Sequence, residues 1–214
     1  MKRIVVIGIG IFGFNLVKEL YESGMEVIAI DKNKDMVQEI ADFSTKAIVS
    51  DGLERNMLES LGLRENDVVV VSFGEDLAAS TLITLHLKQM KIRNIIVKAP
   101  NVEYKQVLES VGATEVIIPE KEMASKVARS LISPNILDYI PLAEDYIIGE
   151  IAPPAAFQGK TLAEVHLRSK HNINVIAIRD TLTDTVTMVP PNYVIKDSEI
   201  LIVIGKSRDI DRIQ

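Results

Sequence analysis

The run Arg3-Ile-Val-Val-Ile-Gly-Ile-Gly-Ile-Phe-Gly13 constrains the fold of this chain more than any other stretch. Its β-branched residues read as a buried strand that passes straight into Gly8-x-Gly10-x-x-Gly13. A second apolar run, Val27-Ile-Ala-Ile30, ends on Asp31, roughly 20 residues beyond the glycines. Strand, glycine turn, helix, strand and acid in this order form the fingerprint of a dinucleotide-binding βαβ unit. Each part has a physical task. Gly8 permits the tight turn, Gly10 keeps side chains out of the way of a phosphate, and Gly13 lets the helix approach the strand. The first-turn amides of that helix, with about half a unit of positive charge from aligned peptides, then face an anion. Asp31 is placed to accept hydrogen bonds from ribose hydroxyls. It would repel a 2′-phosphate, so NAD(H) or an adenosine nucleotide fits better than NADP.

Composition narrows the class. At 214 residues the chain suffices for one large domain or two small ones. The net charge of −6 argues against a nucleic-acid partner bound by phosphate neutralisation. No lysine- or arginine-rich run suits an anionic membrane surface. The absence of cysteine excludes disulfides, thiolate metal sites and cysteine nucleophiles. The longest stretch free of strongly polar residues, Ile4 to Phe14, is too short to span a bilayer. It enters the glycine motif without a cleavage pattern and so reads as a core strand, not a signal peptide. The expectation is a soluble, cytoplasmic protein without direct membrane insertion.

Alternation continues along the chain. Strands are predicted at 47–49, 68–71, 95–97 and 116–118, with helical patterns at 53–61, 77–90, 102–111 and 120–132. Apolar strands alternating with helices imply a Rossmann-like, doubly wound parallel sheet covered on both faces. Residues 1–134 are read as this domain, with a core over 1–118 and a crossover helix near 120–132, ending before Ser133-Pro134. Beyond it, strands at 146–151, 175–178, 185–189 and 200–204 are separated by short polar turns. A short helix fits 162–167 and another fits the chain end. Residues 135–214 therefore read as a second, smaller α+β domain.

Ligands of open parallel sheets sit beyond the carboxyl ends of the strands. There the sequence offers Lys32 after Asp31, Asp51-Gly52 after the third strand, Phe73-Gly74 within Ser72–Asp76 after the fourth, and Lys98 after the fifth. Asp51 is a candidate for an adenine amino group, Phe73-Gly74 for the phosphate side, and Lys98 for a phosphate; solvated turns are the competing reading. No Tyr-x-x-x-Lys pair is present, and His86, His166 and His171 join no acid–base constellation. His86 reads as packing or surface, and the other two as solvated. In the 120–132 helix, Met123, Val127 and Leu131 form a stripe that the sequence assigns to the core. The alternative is a helix crossing to a second subunit with Glu120 near the partner's nucleotide.

At this point the chain resembles a known family, the RCK (regulator of K⁺ conductance) proteins of the TrkA/KtrA type, and within it the KtrA-like members. The resemblance rests on Val6-Ile-Gly-Ile-Gly-Ile-Phe-Gly13, Ala29-Ile-Asp31, Ala79–Leu85, Ile95–Ala99, Val107–Ala113, Ile117-Ile-Pro-Glu-Lys-Glu-Met123 and the tail Ile200–Gly205. It implies a non-enzymatic, cytosolic regulatory subunit at the inner face of the membrane. Homodimers would assemble into an octameric ring under an integral-membrane K⁺ channel or transporter. The ring would change shape with bound NAD(H), ATP or ADP. It further implies that Gly8, Gly10 and Gly13 hold phosphates, Asp31 holds the ribose and Asp51 sits near adenine, with Ile11, Phe12, Lys32 and Gly52 among the cofactor-binding residues. Phe73, Gly74, Lys98 and Glu120 would lie near the phosphates or an associated divalent cation. Arg168 and Asn174 fall where KtrA-like relatives take cyclic di-AMP. ATP-responsive members commonly carry Arg where this chain has Ile11, which implies weaker ATP selectivity. The rival readings are a small NAD-dependent oxidoreductase and a soluble nucleotide or redox sensor acting on other proteins.

Overall fold

Residues Ile4–Ile7 form β1, at the centre of a six-stranded parallel sheet. The computed structural model describes residues 2–74, 76–133, 135–143 and 145–213, which fall into two units, Met1–Glu122 and Met123–Gln214. In the first unit β1 leads into α1 (Ile11–Glu22), β2 (Val27–Asp31), α2 (Lys34–Ile40), β3 (Lys46–Val49) and α3 (Arg55–Ser60). The chain then crosses to β4 (Val68–Val71), α4 (Leu77–Gln89), β5 (Asn94–Lys98), α5 (Val102–Val111) and β6 (Glu115–Ile117), and enters α6 (Pro119–Ile132). The strand order β3-β2-β1-β4-β5-β6 reverses direction between β1 and β4. That reversal opens the crevice in which such sheets bind ligands.

Helices on both faces explain why these strands read as unbroken apolar runs. Successive side chains point to opposite faces of the sheet. Val5, Ile7, Ile28, Ile30, Val69 and Val71 share one core. Ile4, Val6, Val27, Ala29 and Val70 share the other. Each fully buried residue of this size contributes about 1.5–3 kcal/mol.

The second unit contains β7 (Ile136–Pro141), β8 (Tyr146–Ile151), α7 (Leu162–Val165), α8 (Leu167–His171), β9 (Asn174–Asp180), β10 (Thr185–Thr187), β11 (Glu199–Lys206) and α9 (Ser207–Ile210). Its five-stranded antiparallel sheet has the order β10-β9-β11-β8-β7. Ile147, Ile151, Val165, Leu167, Ile173, Leu201 and Val203 make up its core.

The fold corrects the sequence reading in several places. α2 was not expected; it buries only Val37 and Ile40 and is held by its Asn33 cap, which accepts the Asp35 N–H at 2.9 Å. β7 was not expected either, because an edge strand with mostly exposed residues lacks the alternation that marks a strand. The helix expected at 162–167 is broken at His166, whose backbone is left-handed (φ 56°), so α7 and α8 are separate. β10 ends at Thr187, not Val189. The stripe on α6 is not core: Met123, Val127 and Leu131 are exposed, and none of the helix's residues is buried. Glu75 and the expected break at Pro134 lie outside the described residues.

Candidate functional site

The glycine turn has the geometry that its spacing requires. Gly8 adopts φ +96°, and its N–H donates to the Ile30 carbonyl at 2.8 Å. A β-carbon on Gly13 would stand 2.0 Å from the Gly8 carbonyl oxygen, so only glycine lets α1 begin this close to β1. Gly10 faces open space, with nothing within 4 Å of where its β-carbon would be. No side chain caps α1 and no acid lies in its first turn, whereas α2, α5 and α6 all begin with acids. A helix start of this kind is chemically suited to an anion. Phe12 is half-buried beside it, and Ile11 is 89 % exposed.

Asp31 does more than the sequence suggested. Its Oδ2 accepts the Ile9 N–H at 2.6 Å and its Oδ1 accepts the Asn33 N–H at 2.8 Å. The carboxylate thus fastens the glycine turn to the end of β2, with lone pairs left for sugar hydroxyls. Lys32 is exposed next to it. At the end of β3, Asp51 accepts the Leu53 N–H at 3.0 Å in a local turn. Gly52 is buried with φ +72°, and a β-carbon there would stand 2.7 Å from Ile7 Cγ2. These two residues shape the loop that follows β3.

On the other side of β1 the register sets Ile7, Val71 and Val97 side by side. With neighbouring strands about 4.8 Å apart, the end of β5 lies about 10 Å from the glycine turn. Phe73 packs against Gly8, its ring 3.2 Å from where a β-carbon would be. Lys98 bridges the gap: its Nζ lies 3.6 Å from the corresponding point on Gly74. The same Nζ pairs with Glu120 Oε1 at 2.5 Å, with side-chain exposures of 14 % for the lysine and 65 % for the acid. The hydrogen bond from Lys98 holds the Glu120 carboxyl below its ordinary pKa of 4.5. Sequence reasoning named Ser72 only as part of a polar strand end. It is buried, and its Oγ has no hydrogen-bond partner in the described structure. That hydroxyl stands 3.4 Å from the β-carbon position of Gly13, behind the turn, a placement only the fold reveals.

The residues expected for a second effector also come together. Arg168 and Asn174 line a cavity of about 350 Å³ with His166, Leu162 and Val189. His86 is half-buried on α4, its Nδ1 covered and unpartnered. His171 is half-buried at the end of α8. Among the described residues no cluster of three acids or histidines is arranged to hold a metal ion. No described helix is long and apolar enough to cross a membrane.

The parallel sheet, its switch point and this turn define a Rossmann-type domain followed by a small α+β domain. Family models agree: that of the TrkA-N domain matches residues 4–119 and that of the TrkA-C domain residues 150–214. The chain belongs to the TrkA/Ktr family of potassium uptake proteins. It is 38 % identical to the Ktr system potassium uptake protein C of Bacillus subtilis (strain 168), over all of this chain and 96 % of the relative. Identity and coverage are the same for the Ktr system potassium uptake protein A of that organism. In fold it is similar to the crystal structure of the GsuK RCK domain, with TM-score 0.64, 15 % identity, and 98 % and 46 % of the two chains covered. The GsuK channel bound to NAD aligns with TM-score 0.62 at 16 % identity, over 97 % of this chain and 38 % of that one. The chain spans less than half the length of those structures.

Proposed function

We propose that this chain is a cytosolic, non-catalytic regulatory subunit of a K⁺ channel or transporter, and that its first domain binds an adenosine nucleotide: NAD(H), ATP or ADP. The observation that carries the reading is the uncapped, acid-free start of α1 against an open Gly10, with Asp31 fixed beside it. Gly8, Gly10, Phe12 and Gly13 would receive the phosphates, Asp31 and Lys32 the ribose, and Asp51 and Gly52 the adenine side. Phe73, Gly74, Lys98 and Glu120 would border the far end. A divalent cation there would take Glu120 and the phosphates as ligands.

A ligand shifts a conformational equilibrium only through different affinities for the two states. The proposed output is a ring, an octamer built from homodimers, whose shape follows the bound nucleotide and acts on an integral-membrane partner. The names of the Bacillus relatives and the exposed stripe on α6 support an assembling, transport-linked subunit. The second domain is proposed to take cyclic di-AMP through Arg168 and Asn174. The cavity is large enough for part of such a ligand, since small-molecule sites run about 300–1,000 Å³.

The test is calorimetric titration of the purified protein with NADH, ADP, ATP and cyclic di-AMP. Nucleotide-dependent K⁺ flux through vesicles carrying a co-purified membrane subunit completes it. Failure of every adenosine nucleotide to bind the folded protein would overturn the reading. Sustained NADH turnover with a small carbonyl substrate would favour an oxidoreductase instead.

A further inference from the structure

We propose that Glu199 and Tyr193 form a latch that fixes one wall of the second-domain cavity and so sets how tightly that cavity holds its ligand. The proposal rests on the effector reading of this cavity given above. It adds two positioning residues that lie outside the cavity's lining.

Two segments meet at the cavity. The start of α7 supplies Leu162 and Ala163, and the 188–198 connection between β10 and β11 supplies Val189 and Pro191. Backbone hydrogen bonds join the two. The Leu162 N–H donates to the Tyr193 carbonyl at 3.0 Å, and the Ala163 N–H donates to the Pro191 carbonyl at 2.8 Å. Just before α7, the Ile195 N–H donates to the Lys160 carbonyl and the Gly159 N–H to the Ile195 carbonyl, each at 2.9 Å, while Thr161 bridges to Val194. The Thr161 hydroxyl takes the next amide, that of Glu164, at 3.2 Å. The first-turn donors of α7 are thus all engaged within the chain, and Arg168 is the cation that lines the cavity. A ligand's fit then depends on where the connection stands relative to Arg168.

Glu199 holds the connection from β11. Its side chain is only 1 % exposed. Every bond given for its carboxylate goes to this one segment. The Tyr193 hydroxyl donates to Oε1, the Lys196 N–H donates to Oε2 at 2.9 Å, and Lys196 Nζ lies 3.5 Å from Oε1. Directly opposite Glu199 in the register with β9 is Asp180, whose Oδ1 already accepts the Leu182 N–H at 2.8 Å. Like charges facing across a strand pair repel, and a buried carboxylate is costly without partners. The bonds from Tyr193 and Lys196 therefore keep Glu199 in place, and the same bonds pin the connection. An apolar side chain at this position would pack as well without fixing the connection in one geometry.

The experiment is backbone amide exchange on the full chain, read by nuclear magnetic resonance, alongside calorimetric titration with cyclic di-AMP. Tyr193→Phe keeps the ring and removes the donor. Glu199→Gln keeps the shape but puts an NH₂ group where the Lys196 N–H needs an acceptor. Ile147→Val trims the core opposite Gly205, at the other end of β11, and controls for lost stability. In both latch variants the Gly159, Leu162, Ala163 and Ile195 amides should exchange about tenfold or more faster than in the parent. Cyclic di-AMP should bind them about fivefold or more weakly, and NADH should stay within about twofold. The control should show neither the local exchange nor the weakening. Exchange unmoved at the four amides in both latch variants overturns the latch. Faster exchange with unchanged affinity overturns the wall's control of binding, and equal weakening in Ile147→Val does the same. A parent that binds no cyclic di-AMP overturns the effector reading and the affinity claim with it, while exchange still decides whether the latch holds the wall.

Discussion

The carboxylate of Asp31 receives the backbone N–H of Ile9 at 2.6 Å, so the acid at the end of β2 holds the glycine turn at the end of β1. Replacing it should therefore act twice. Bonds from N–H groups to a charged acceptor contribute about 1.5–3 kcal/mol. Asp31→Ala should lower the stability of the ligand-free protein by about 2 kcal/mol and weaken nucleotide binding roughly tenfold. Asp31→Asn keeps one acceptor oxygen and should recover part of the stability. Denaturant unfolding without ligand, paired with calorimetry, separates the two effects. Unchanged values in both would refute the role given to Asp31.

The three glycines of the turn should respond differently to a methyl group. Gly13→Ala drives a β-carbon to 2.0 Å from the Gly8 carbonyl and should cost on the order of 3 kcal/mol or more. Gly10→Ala meets nothing within 4 Å, and its φ of −74° suits alanine. Its stability should stay within about 0.5 kcal/mol of the parent. Nucleotide binding should nevertheless fall, because the methyl group occupies the phosphate's approach. Thermal melts with and without NADH distinguish these outcomes.

The Lys98–Glu120 pair predicts a small acid-sensitive contribution to stability. Glu120 is held below its unfolded value of 4.5, first by the hydrogen bond from Lys98. A depressed carboxyl stabilises above the unfolded value, and that stability is lost as pH falls through the folded one. The difference between the parent and Glu120→Gln should thus be constant at neutral pH and close as pH drops below 4.5. It should stay under about 1 kcal/mol, since solvent screens an exposed pair. A pH series of urea midpoints reads it directly.

His166 joins α7 to α8 at φ 56°, a conformation that a non-glycine residue holds at a cost of about 1–2 kcal/mol. His166→Gly should therefore leave the protein as stable or raise its midpoint. A destabilised variant would show that the imidazole makes contacts outweighing the strain.

Much of the first domain was legible because a parallel sheet covered on both faces writes each strand as an apolar run: Ile4–Ile7, Val27–Ile30, Val68–Val71. The glycines were legible for a related reason, since the positive φ of Gly8 is a local demand and the crowding at Gly13 comes from Gly8, close in sequence. The second domain hid more. Leu-Ala-Glu-Val-His-Leu-Arg-Ser-Lys-His reads as one helix, and nothing local announces the reversal at His166. β7 sits on a sheet edge, where side chains meet solvent on both faces and leave no periodicity. The pairs that define the far end of the site, Lys98 with Glu120 and Ser72 behind Gly13, join separate strands and helices. Only the registers of β1 with β4 and of β5 with β6 bring them together.

α6 runs for 14 residues and buries none of them. An isolated helix of that length is marginal in water. Ion pairs of Glu120, Lys126 and Arg129 hold it to its own chain; in the proposed assembly, a second copy covering Met123, Val127, Leu131 and Ile132 would lend it the rest of its order. Dilution should make this segment fray before the sheets respond, so that helical content becomes a function of concentration while β-structure does not.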